Sequence, residues 1–139
     1  MIRLLLPLIL IACYPAQADY YRVHNDPGGS MVHYTDLLER LTEQERPVRF
    51  SGFVHSGATL LVGVPGSCAE PGTTFGFHGA SYQGHHDMLF SYRLATYYPP
   101  RLRTWFEAGP MWLHGEEIAE LDASDLVSMG VLEFCGEES

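Results

Sequence analysis

Met31, Tyr34, Leu37, Leu38 and Leu41 recur at spacings of three and four residues between Ser30 and Pro47, which predicts an amphipathic helix with Ser30 as its N-cap. On both sides the period changes. Tyr21 and Val23 stand among polar residues ahead of the turn Asn25-Asp26-Pro27-Gly28-Gly29, and behind Pro47 the residues Val48, Phe50 and Gly52 alternate with Arg49 and Ser51. Both runs predict strands. HSGATLLVG, residues 55–63, is short, apolar and rich in small residues, and predicts a buried helix entered at Ser56. TTFGFHG predicts a second strand pattern ending at His78, and His86 to Tyr98 a helix. Pro99-Pro100 breaks that helix, which resumes through Leu102, Trp105 and Phe106 to a stop at Gly109. LDASDLVSMGVLEF predicts a cap, one or two helical turns, Gly130 as the stop and a closing strand. Strands alternating with helices predict an α/β fold with a mostly parallel sheet, and no repeat or linker divides the chain from residue 19 to 139.

The first eighteen residues stand apart. Arg3, the apolar run Leu4 to Ala12, and small residues at Ala16 and Ala18 predict a signal peptide over residues 1–18. Leu10-Ile11-Ala12-Cys13 keeps a lipoprotein anchored at Cys13 open as the alternative, and the run is too short for a transmembrane helix, which needs about 20 apolar residues. The expected location is therefore periplasmic or secreted.

The formal net charge is −9, which argues against nucleic acid and anionic lipid as main partners. Every basic residue is arginine. The absence of lysine excludes Walker-type phosphate binding, Schiff-base chemistry and a Ser-Lys dyad. Beyond the signal only Cys68 and Cys135 are present, an even count in an oxidising compartment, so a disulfide between them is expected, two free thiols being the alternative.

Acyl transfer by serine needs a hydroxyl, a base and backbone N–H donors aimed at the developing oxyanion. Ser56 stands at a strand-to-helix junction with Gly57 after it, His78 ends the next strand, and Gly28 and Gly29 form the first strand-to-helix turn. Each has a plainer reading too: a serine there serves as an N-cap, a strand-end histidine as a structural residue, a Gly-Gly pair as a tight turn.

Four ordered segments carry a family resemblance: HNDPGGSMVHYTDLL, GFVHSGATLL, FGFHGASYQGHHD and, more weakly, LDASDLVSMGVLE. Together they resemble the proteolytic subunit of the Clp protease, within the ClpP/crotonase-like fold, and especially its small secreted relatives. The resemblance implies Ser56 as nucleophile, His78 as general base, and oxyanion donors from Gly57 and the Gly28-Gly29 turn. It implies a serine-type endopeptidase acting on a peptide or protein substrate, without a cofactor. Where the family keeps its orienting acid this chain has His114, with Glu116, Glu117 or Asp122 as substitutes, and an imidazole without an orienting carboxylate loses orders of magnitude in rate. The chain also lacks the strand and helix that precede the Pro-Gly-Gly strand in the family, so a trimmed sheet is expected. Its arm after His78 is short, so a closed chamber is not, and a homo-oligomer stays open.

Two other classes compete. A catalytically degenerate binding or structural protein of the same fold would keep Ser56 and His78 inert. A metal centre built from His78, His85, His86 and Asp87 is disfavoured, because adjacent His85 and His86 point in different directions and no thiolate closes a site; no metal is expected. Tyr97-Tyr98 and Trp105-Phe106 read as core, Trp112 as packing or a groove border, and Glu137-Glu138 as a solvated tail.

Overall fold

A computed structural model describes residues 19–138. The expected signal segment and Cys13 lie outside the described residues. The chain is mixed α/β with a curled, mostly parallel sheet. Its elements are β1 (Tyr21–Asp26), α1 (Met31–Glu43), β2 (Val48–His55), a 3-10 segment (Ser56–Gly63), β3 (Cys68–Ala69), β4 (Thr74–Phe77), β5 (Ser81–Tyr82), β6 (His85–His86), α2 (Met88–Ala95), α3 (Pro100–Ala108), β7 (Ala119–Asp122), α4 (Ala123–Ser128) and β8 (Glu133–Phe134).

β2 is the spine. β1 runs parallel along one edge, with Tyr21 opposite Val48 and Val23 opposite Phe50. On the other edge β3 and β4 follow in tandem, Cys68 opposite Arg49 and then Phe53, Val54 and His55 opposite Thr74, Phe75 and Gly76. β8 extends β3 in parallel, while β7 returns along β4 antiparallel, with Phe77 opposite Ala119. This exception to the expected parallel pairing arises because α3 and the turns after it bring the chain back to the end of β4 from which β7 must run in reverse.

One face of β2 builds the core: Val48, Phe50 and Val54 are fully buried, whereas Arg49, Ser51 and His55 on the other face are partly exposed. Tyr34, Leu37 and Leu41 form the buried stripe of α1, as their spacing predicts, and α1 packs on the 3-10 segment. Ser30 caps α1 through His33 N–H. Pro100 opens α3, where a missing N–H costs nothing, and Leu102 and Phe106 are its buried face. Tyr98 and Trp105 meet Phe77 edge-on at 5.6 and 5.2 Å, consistent with the core reading of both aromatic pairs.

Two local expectations need correction. The helix entered at Ser56 is 3-10 rather than α, since the Thr59 hydroxyl donates to the Ser56 carbonyl at 2.6 Å and tightens the first turn, while Gly57 to Val62 are buried and no single amphipathic face sets the period. The helix expected from His86 starts at Met88 instead. His85 and His86 pair with Ser81 and Tyr82 in a hairpin, because Gln83 and Gly84 both take positive φ (51° and 80°) and supply its two-residue turn. The tail is exposed at Glu137 and Glu138 as expected, and the Glu138 carboxylate pairs there with Arg22 and, at 3.6 Å, with Arg49, the Arg22 contact first of all holding it below the usual carboxylate range.

The Cys68–Cys135 disulfide forms, with Cα atoms 4.9 Å apart, and ties β3 to the residue after β8. Among the described residues no helix is long and apolar enough to cross a membrane.

Candidate active site

Where β2 ends and the 3-10 segment begins, Ser56 has φ +55°, a left-handed conformation that few side-chain-bearing residues adopt. Such strain persists only where surrounding structure imposes it. The imposing partner is the first turn. Gly28, at φ +81°, lies so close that a Cβ there would stand 2.7 Å from Ser56 Cβ and 2.9 Å from Gly57 N. Gly57 is pressed equally hard, since a Cβ on it would come within 2.6 Å of the Tyr34 ring and 2.9 Å of the Gly29 carbonyl oxygen. Two turns distant in sequence therefore meet backbone to backbone.

Asp26 fixes the arrangement. Its Oδ1 accepts from Gly28 N–H at 2.9 Å and from the Tyr34 hydroxyl at 2.7 Å, joining the turn to α1. Burial, then the Asp26 contact, pushes the Tyr34 phenol well above its ordinary range, so it stays a donor. The Gly28 N–H is thus committed to Asp26, and the expectation of an oxyanion donor from either glycine narrows to Gly29. Gly57 is the second residue of the 3-10 segment, where N–H groups have no preceding carbonyl within the helix to bond.

Ser56, Gly57, Gly29 and His78 line one cavity of about 570 Å³. Met31, Val32, Phe90 and Leu94 make most of its apolar wall, and no carboxylate or guanidinium lines it. His78 follows β4, which lies beside β2, so neighbouring strands deliver base and hydroxyl to one space.

The imidazole of His78 has a defined partner. Its Nδ1–H donates to the Gly79 carbonyl at 2.7 Å, which leaves the Nε2 lone pair as the basic position. No hydrogen bond joins it to Ser56 among the described residues. Nor do the residues expected as third member reach it. Asp122 pairs with Thr74 at the opposite end of β4, and its N–H is held by Asp125 Oδ2 at 2.8 Å in the capping box of α4. Glu116 and Glu117 are exposed on the turn before β7, and His114, although near His78 around a smaller cavity, forms no bond to it. The orienting acceptor is a main-chain carbonyl, which no sequence pattern marks. Asp26, by contrast, was readable: an acid two residues before a turn glycine is the signature of an Asx-turn.

Asp87 caps α2 by accepting from Phe90 N–H at 2.9 Å, and among the described residues no group of three or more His, Cys, Asp or Glu is placed to hold a metal ion. Trp112 is more than half exposed and does not line the Ser56 cavity. His55, directly before Ser56, has a buried Nε2 without a hydrogen-bond partner among the described residues.

Chemically the cavity brings together a serine at a strained turn, an imidazole with its tautomer set by a carbonyl, and the backbone of Gly29 and Gly57, beside apolar side chains that strengthen polar contacts. Compared with family models and with curated proteins, the chain matches none.

Proposed function

We propose that this chain is a ClpP-like serine hydrolase, a peptidase of the ClpP/crotonase-like fold, acting in the periplasm or outside the cell. One observation carries the reading: Ser56 is held at φ +55° on a strand-to-helix turn, in the same cavity as His78, Gly29 and Gly57. The disulfide supports an oxidising location.

In this reading His78 Nε2 takes the Ser56 Oγ proton as Oγ attacks the scissile carbonyl, and the N–H groups of Gly29 and Gly57 stabilise the oxyanion. Collapse of the tetrahedral intermediate breaks the C–N bond, and the leaving amine departs with the proton from Nε2. Water, deprotonated by the same nitrogen, then attacks the acyl carbonyl, and as the bond to Oγ breaks Nε2 returns that proton to Ser56, releasing the carboxylic acid product. The Gly79 carbonyl holds the ring orientation but, being neutral, stabilises the imidazolium less than a carboxylate does, so turnover is slow for a serine peptidase.

A fluorophosphonate probe tests this directly. Labelling of the parent and its loss in Ser56→Ala are expected; absence of labelling, or labelling that survives the substitution, leaves the degenerate binding protein as the better description.

A further inference from the structure

His78 stands between two cavities. Beside the larger one is a second of about 170 Å³ whose side chains come from His78, Ser81, His86 and His114, the rest of its lining being glycine. Ser56 lines only the larger, while His78, Gly79 and Ser81 line both. Three imidazoles and a hydroxyl surround this space and no carboxylate does, in a chain whose net charge is −9. The His86 and His114 rings are 5.6 Å apart, and His86 is fixed by its Nε2–H donating to the Met111 carbonyl at 2.9 Å.

We propose that the smaller cavity is the leaving-group subsite and that it selects an acidic residue on the departing side of the scissile bond, its carboxylate received by His114 and His86. The proposal rests on the reading of Ser56 and His78 as nucleophile and base. The leaving amine must take its proton from His78, and His78, Gly79 and Ser81 line this cavity as well as the one that holds Ser56. A water's share of liquid volume is about 30 Å³, so the cavity equals roughly six waters, enough for one carboxylate-bearing side chain.

Charge supplies the selectivity. Imidazole N–H groups donate to a carboxylate, and a hydrogen bond to that charged acceptor is stronger than one to the neutral amide of Asn. The charged neighbours are few: Asp87 is committed to the cap of α2, Glu116 and Glu117 are exposed on the turn after His114, and His85 is exposed on the hairpin. None of these lines the cavity.

The experiment compares two peptides differing only in Asp or Asn immediately after the scissile bond. Because one free enzyme processes both, protonation of His78 cancels in the ratio of their kcat/KM values. The ratio is expected to favour Asp by about fivefold to tenfold, as one partly exposed charge-assisted contact provides. In His114→Gln the preference for Asp over Asn falls, and in the double variant with His86→Gln it disappears. A ratio near unity in the parent, or a preference that survives the double variant, overturns the proposal. A second readout needs no turnover: the dipeptide Asp-Gly, a product mimic, shifts the imidazole proton resonances of His86 and His114, and Asn-Gly does not. Such shifts in a protein that fluorophosphonate fails to label uphold carboxylate binding in the cavity, while the hydrolase reading falls and with it the cavity's role toward a leaving group. A labelled protein with no shift and a ratio near unity loses the subsite alone.

Discussion

Gly28 lies against Ser56 so tightly that a methyl group on the glycine would stand 2.7 Å from the serine Cβ. With its φ of +81°, the position is closed to side chains on two grounds, contact and backbone conformation. Gly28→Ala must push the two turns apart. It is expected to lower stability by about 1–3 kcal/mol and to reduce fluorophosphonate labelling at least ~10-fold. Denaturant titration and labelling rates read both effects; a variant matching the parent in both would show that the close approach is not needed.

The His78–Gly79 bond gives a second prediction. His78→Ala should cut labelling by roughly 10²-fold or more, the usual worth of a general base. Glu116→Ala and Glu117→Ala should leave the rate within about twofold, as exposed positions do. Asp122→Ala should cost about 1 kcal/mol through the cap of α4 without a matching loss of labelling. A large rate effect at any of the three carboxylates would restore an acid to the constellation.

Cys68 and Cys135 are separated by 67 positions in sequence, so their bond removes a large loop from the unfolded ensemble. Replacing both with serine is expected to lower stability by about 2–4 kcal/mol. Guanidinium midpoints for the parent and double variant measure this, and coincident curves would refute it.

Alkaline stability follows from two phenols. Burial, with Asp26 adding to it, raises Tyr34, and burial raises Tyr98, whose bond to Thr59 opposes the shift. Both folded-state values lie above the unfolded value of about 10, so the native protein keeps protons that the unfolded chain releases. Their contribution is complete below about pH 10 and is lost progressively above it. Denaturant titrations at stepped pH should show the decline beginning there, with a shallower slope in Tyr34→Phe. Stability unchanged to about pH 11.5 would contradict it.

The helix α1, the strand β2 and the closing α4–β8 segment were legible because each is governed by a local period and a local cap: Leu37 and Leu41 on one stripe, Phe50 and Val54 on one face, Gly130 at the stop. What escaped was set by tertiary contact. The antiparallel β7 carries little hydrophobic pattern of its own and exists because β4 offers an edge. The hairpin at His85–His86 hid inside a helix-like run, although Gln83-Gly84 is a turn pair in plain view. At the site, Ser56, His78 and the glycines were readable as candidates, but the partner of His78 Nδ1 is a backbone oxygen, and every residue has one.

The tandem seating of β3 and β4 along one edge of β2 sets the order in which the molecule can be completed during synthesis. β7 and β8, which occupy the outer edges of β4 and β3, leave the ribosome after every other described strand. Until they arrive, a nascent chain already holding Ser56 and His78 carries two bare strand edges, open to pairing with other chains. C-terminal truncation, even well away from the site, should therefore yield aggregates sooner than a smaller soluble fragment.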